Sequence, residues 1–122
     1  MKYVRLYSDE SGDSHFEDVE VEMSLVDISP PAPPLDVSAP IPSTNTVFLH
    51  TPAGWYGEPH PVAGRIFLIY LTGEMEATVS DGEVRRFGPG SVVLVEDTSG
   101  KGHSSRTLGN DDVLAVMVQL AD

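Results

Sequence analysis

Cysteine is absent from this chain. No disulfide framework, thiolate nucleophile or cysteine-ligated zinc or iron–sulfur centre can therefore be built, which leaves histidine and carboxylate chemistry. Long apolar runs are missing too. The N-terminal MKYVRLYSDESGD holds no signal-like apolar segment, and no later run approaches the length of a membrane span, so a soluble, cytoplasmic protein is expected. Positive charge is scarce: 7 Lys and Arg stand against 19 Asp and Glu, for a formal charge of -12. Such a surface repels phosphate backbones and anionic lipid over roughly 8 Å, so neither nucleic acid nor membrane is an expected partner. Much of the negative charge sits in SDESGDSHFEDVEVE, where Asp9, Asp13 and Glu17 do not follow the spacing of a calcium-binding loop. A solvated loop and strand face is the expectation there.

What is present reads as strands. At 122 residues the chain has the length of one domain. Val19, Val21 and Met23 alternate with Glu20 and Glu22, and Met75, Ala77 and Val79 alternate with Glu74, Glu76 and Thr78, the period of strands with one wet face. RIFLIYL and VLAVMVQL are apolar on both faces, as in strands covered on each side. Ser80-Asp81-Gly82-Glu83 carries the Asp-Gly pair of a tight hairpin turn, and Gly88-Pro89-Gly90 interrupts the chain before SVVLVE. Residues 30–42, PPAPPLDVSAPIP, hold six of the ten prolines and fit neither a helix interior nor a central strand. The organisation expected is one all-β domain: an N-terminal β arm over 1–29, a proline-rich wrap over 30–42 and a barrel over 43–122.

The barrel segment carries a resemblance. Gly54, His60 and Gly73 in GWYGEPHPVAGRIFLIYLTGE fall at positions of the first cupin motif, while Val62 stands at its second histidine and Ile66 at its glutamate. In FGPGSVVLVEDTSGKGHSSR, Gly90 and His103 match the second motif, with Glu96 in place of its proline and Thr107 in place of its asparagine. EDTSGKGHSSR also resembles a stretch of small single-domain bacterial cupins. The chain is thus similar to cupins, which implies a double-stranded β-helix or jelly-roll barrel. It also implies that positions 60, 62, 66 and 103 point from neighbouring strands into one cavity. In cupins such positions hold a metal with imidazole and carboxylate. Only His60 and His103 are kept, so no cofactor and no tightly held metal is expected. Glu58 and Asp97 lie off the motif positions.

Two inward histidines among Val62, Ile66, Leu68 and Tyr70 describe a small-molecule pocket with few polar groups. His60 and His103 are the expected acid–base residues, with Tyr70 as proton donor or hydrogen-bond partner. Trp55 and Tyr56, beside Gly54 and Gly57, are expected to roof the barrel mouth and touch the ligand together with Val62, Ile66 and Leu68. Structural pairing of the histidines is the competing reading. His50 is expected at the sheet surface or in the core, His15 in solvent, Lys101 in solvent, and Arg85 and Arg86 on an exposed strand facing Glu74, Glu76 or Glu83. Three functions stay open: an acid–base enzyme of isomerase, lyase or cyclase type, a metal-dependent oxygenase or lyase with an atypical site, and a non-catalytic barrel that binds or senses a small organic ligand. A homodimer is expected, since small cupins pair through sheet edges or exchanged N-terminal strands and the arm is suited to covering an edge.

Overall fold

Period-two alternation produces strands along the whole chain: the computed structural model describes residues 1–122 and contains twelve strands and no helix. They are β1 (Lys2–Ser8), β2 (Ser14–Glu20), β3 (Ser24–Val26), β4 (Leu35–Val37), β5 (Ser43–Thr51), β6 (Tyr56–His60), β7 (Ile66–Thr72), β8 (Met75–Val79), β9 (Val84–Phe87), β10 (Val92–Glu96), β11 (His103–Thr107) and β12 (Val113–Leu120). A six-stranded sheet runs β2-β1-β10-β7-β12-β5, and a four-stranded sheet runs β6-β11-β8-β9. No helix is long and apolar enough to cross a membrane.

The two sheets enclose the main core. Met75, Ala77 and Val79 bury the inner face of β8 against Val93, Val95, Val113 and Ala115 from the larger sheet. The doubly apolar strands β7 and β12 are covered on their other face as well: Phe67, Leu94 and Leu120 form a second, smaller cluster with Tyr3, whose ring meets Phe67 edge-on at 5.3 Å. The Asp-Gly turn closes the β8–β9 hairpin, with Gly82 at φ 99°, and Asp81 accepts the Glu83 N–H at 2.8 Å.

The N-terminal third is built into the sheets as follows. Residues 2–20 supply two strands to the larger sheet. β1 runs parallel to β10, with Val4 opposite Val93 and Leu6 opposite Val95, so it covers the edge of its own sheet, and Leu6 and Phe16 belong to the main core. Arg5 and Arg65 both close on Glu96 at the end of β10, which ties β1 and the start of β7 to that strand. The proline-rich wrap is interrupted, because Leu35–Val37 pairs with Ser24–Val26 as a short hairpin that joins neither main sheet. Proline at the flanking positions removes the donors that further pairing needs.

Candidate functional site

A cavity of about 320 Å³ remains between the sheets. β6 and β11 form part of its wall and run antiparallel, with His103 directly opposite His60. Opposed residues of adjacent strands share a face. Both rings therefore border the cavity, their centroids 5.7 Å apart and their planes tilted by 34°. Gly102 makes this close approach possible: at φ +69° it lies against the His60 backbone, where an added Cβ would overlap the His60 carbonyl. Ser14 of β2 holds the same loop by donating its hydroxyl to the Gly102 carbonyl at 2.6 Å.

Each ring is fixed at Nδ1. His103 Nδ1 lies 2.6 Å from Asp97 Oδ2, and His60 Nδ1 lies 2.8 Å from the Glu58 carbonyl. A carboxylate and a carbonyl accept and do not donate, so both Nδ1 atoms carry hydrogen. In the neutral state both Nε2 atoms then hold a lone pair. Nε2 of His103 makes no hydrogen bond within the protein and is not sealed off, so it is free to meet a guest in the cavity. Two lone pairs cannot bond each other directly. One added proton converts one ring into a donor and leaves the other an acceptor.

Asp97, set aside in the sequence because it lies off the motif positions, is part of the site. Its side chain is completely buried, that of His103 is 12% exposed, and Asp97 Oδ1 has no partner in the protein. A buried polar atom left unpaired costs about 1 to 3 kcal/mol, which packing alone gives no reason to retain. The available signal was an acidic residue directly after an apolar strand and six positions before a motif histidine.

Tyr70, Trp55, Val62, Ile66 and Leu68 also line the cavity. Tyr70 is buried and stacks on Phe87 at 5.9 Å, and it makes no hydrogen bond to either histidine. Burial pushes its phenol up to about 12, so near neutrality it stays a neutral hydroxyl, able to donate or accept a hydrogen bond but not to serve as a phenolate base. Trp55 borders the cavity yet is 39% exposed, which puts it at an opening. Thr107 anchors it: Trp55 N–H donates to Thr107 Oγ1 at 3.1 Å, and Thr107 N–H donates to the Trp55 carbonyl at 3.1 Å. Tyr56 is corrected. It stands opposite Arg106, is 58% exposed and does not line the cavity. Adjacent residues of an extended chain point to opposite faces, so Trp55 and Tyr56 cannot both face inward. Ser105, the next inward residue of β11 after His103, is an additional polar group of the wall.

Of the other sequence candidates, His50 stands at the exposed rim of the cavity, where it pairs with Asp112 at 2.9 Å. The rest lie outside. Lys101 is exposed and pairs with Asp13, while Arg85 meets Glu83 and Asp18 and Arg86 meets Glu76. His15 is not simply solvated: Asp9 holds its Nε2 at 2.6 Å and Asp81 its Nδ1 at 2.7 Å. Asp9 first and Asp81 second raise the His15 imidazole above its ordinary value.

A transition metal does not fit this donor set. The four positions that the resemblance assigns to ligands carry His60, Val62, Ile66 and His103, two of them apolar. Nowhere do three or more His, Asp or Glu side chains gather in an arrangement able to hold an ion, and Asp97 is engaged by His103.

No family model matches the sequence, and no curated protein matches it. Solved structures do. An RmlC-like cupin family protein with a double-stranded β-helix fold from Methanocaldococcus jannaschii is similar with a TM-score of 0.53 and 18% identity, over 84% of this chain and 91% of that one. A Cupin 2 conserved barrel domain protein from Salinispora arenicola gives 0.52 and 22%, over 83% and 76% of the two chains. The cupin domain of Schizosaccharomyces pombe Cnp3 gives 0.52 and 18%, over 99% and 83%. With two sheets facing one another around a central cavity and these neighbours, the chain has the cupin fold, a double-stranded β-helix.

Proposed function

We propose that this cupin barrel binds a small organic molecule between its sheets and moves protons on it, with His103 as general base, His60 as its acid–base partner and Asp97 as the residue that positions His103. The observation carrying this reading is the Asp97–His103 pair: a completely buried carboxylate, 2.6 Å from Nδ1, fixes the hydrogen of the neutral imidazole on Nδ1 and so turns the lone pair of Nε2 toward the cavity. In the reaction, His103 Nε2 takes a proton from an acidic C–H of the guest, and the C–H electron pair moves into the adjacent carbonyl as an enolate. The imidazolium so formed keeps Asp97 as its charge-bearing partner. The proton then passes from His103 Nε2 to His60 Nε2, exchanging with solvent on the way, and His60 returns it to the enolate at another atom, so both rings end neutral as they began. Bonds and protons balance without an oxidant or a metal. Desolvation by the apolar wall strengthens each of these contacts.

Solvent deuterium uptake tests the reading. A simple enolisable ketone incubated with the protein in heavy water is expected to gain deuterium beside its carbonyl faster than in buffer. The gain disappears in His103→Asn. Uptake at the buffer rate with the unaltered protein overturns the proposal.

We further propose that copies of the chain pair through exposed apolar surface. Phe48 on edge strand β5 is 79% exposed, and Leu25 and Leu35 of the isolated hairpin are 69% and 60% exposed. Light scattering at micromolar concentration is expected to give twice the chain mass, and the mass of one chain removes the proposal.

A further inference from the structure

The chain has seven basic side chains and none of them borders the cavity. Arg5 and Arg65 close on Glu96, Arg85 on Glu83 and Asp18, Arg86 and Arg106 on Glu76, and Lys101 on Asp13. Lys2 stands at the start of β1, away from the wall. The imidazoles are thus the sole source of positive charge inside. Those of His103 and His50 are already answered by Asp97 and Asp112, and the whole chain carries -12. An anionic group entering this space leaves water and gains no full counter-charge.

Size and polarity narrow the guest further. A cavity of about 150 Å³ lined by apolar side chains accepts benzene. The present 320 Å³ is about twice that, room for about ten to twelve non-hydrogen atoms. Fifteen of its 21 lining residues are hydrophobic, so the guest is apolar over most of its surface. Its polar end belongs where His60, His103 and Ser105 come together on β6 and β11.

We propose that the cavity takes an uncharged, largely apolar ketone of two-ring size, seated with its carbonyl and the neighbouring C–H against His60 and His103, and that it excludes carboxylates and phosphates of the same size. The carbonyl and C–H end rests on the proton-transfer reading above; charge and size rest on the wall alone.

The test pairs α-tetralone with α-naphthoate, which keeps a two-ring frame, adds two non-hydrogen atoms and carries one full negative charge. Neutral α-naphthamide, matched to naphthoate in size, is titrated beside them and must bind well above naphthoate for charge to be the cause. Calorimetric titration is expected to give tetralone an affinity about a hundredfold above that of naphthoate. In the unaltered protein, tetralone is also expected to shift the imidazole NMR resonances of His60 and His103. An affinity ratio below about tenfold overturns the proposal, as does absence of tetralone binding, or binding that leaves both imidazoles unmoved. Deuterium uptake by bound tetralone is read separately. Tetralone that binds selectively without exchanging supports the ligand class and removes the proton-transfer reading. Exchange accompanied by equal naphthoate binding keeps the chemistry and removes the ligand class.

Discussion

Asp97→Asn removes one charge from behind the cavity wall and almost no volume. In the unaltered chain the carboxylate lies 2.6 Å from His103 Nδ1, with the two side chains 0% and 12% exposed, so solvent screens their interaction little. A hydrogen bond to a charged group contributes about 1.5 to 3 kcal/mol, and a neutral one about 0.5 to 1.5 kcal/mol. When His103 takes up a proton, Asn in place of Asp therefore withholds about 1 to 2 kcal/mol from the imidazolium. At about 1.4 kcal/mol per factor of ten, the rate of proton abstraction falls about fivefold to thirtyfold. If the amide turns its NH2 toward Nδ1, the hydrogen moves to Nε2, the base is lost and the fall is larger. The assay is deuterium uptake into α-tetralone followed by NMR, with affinity measured by titration on the same sample. Asn keeps the shape and a hydrogen bond, so affinity is expected to stay within about threefold. A folded variant that exchanges at the unaltered rate refutes the positioning role of Asp97. A fall in affinity that matches the fall in rate refutes it as well, since Asp97 would then act through the shape of the cavity.

Three further outcomes follow from single features. The ring of Trp55 lies over Gly57, where an added Cβ would be 2.6 Å from it, so Gly57→Ala displaces the chain's one tryptophan toward water without unfolding the barrel; a red-shifted emission with an unchanged circular dichroism spectrum is expected, and unchanged emission contradicts the packing. Val62→His with Ile66→Glu supplies two ligands at cavity positions beside His60 and His103, and added manganese or zinc at a hundredfold excess over its dissociation constant is expected to stabilise that variant by about 2.7 kcal/mol in calorimetry. No metal-dependent shift in the folded variant means that the four positions do not converge. The third outcome concerns pH. His15 is raised by Asp9 and Asp81, so its contribution to stability is full below its unfolded value of about 6.5 and is lost as pH rises through the raised folded value. Asp9, lowered mainly by His15, and Asp81, lowered first by the Glu83 N–H and then by His15, contribute above about pH 4 and lose that contribution in acid. Melting temperatures of the parent are expected to exceed those of His15→Gln by more at about pH 6 than at about pH 9, and a difference constant across that range refutes the clamp.

The features legible in the sequence were those with local causes. The β8–β9 hairpin follows from an Asp-Gly pair between two alternating segments, and His60 and His103 follow from spacing within motifs that a barrel brings together. Asp97 was not legible, because its meeting with His103 depends on the path of residues 98–102. That path is set by Gly100 packing directly on Gly12, 88 positions away, and by Ser14 holding Gly102. The parallel seat of β1 beside β10 and the clamp of Asp9 and Asp81 on His15 are equally non-local. Tyr56 was misplaced for the opposite reason: strict alternation was sufficient to exclude it once Trp55 was taken as inward.

Protonation of the two cavity rings is the measurement closest to the chemistry. Long-range proton–nitrogen NMR at a pH where both are neutral distinguishes a nitrogen that carries hydrogen from one that carries a lone pair. With Asp97 and the Glu58 carbonyl accepting from Nδ1, both His60 and His103 are expected to show Nδ1 protonated and Nε2 bare. Addition of α-tetralone is then expected to shift both Nε2 signals. Nε2 protonated on neutral His103 contradicts its role as the base, whatever else the barrel binds.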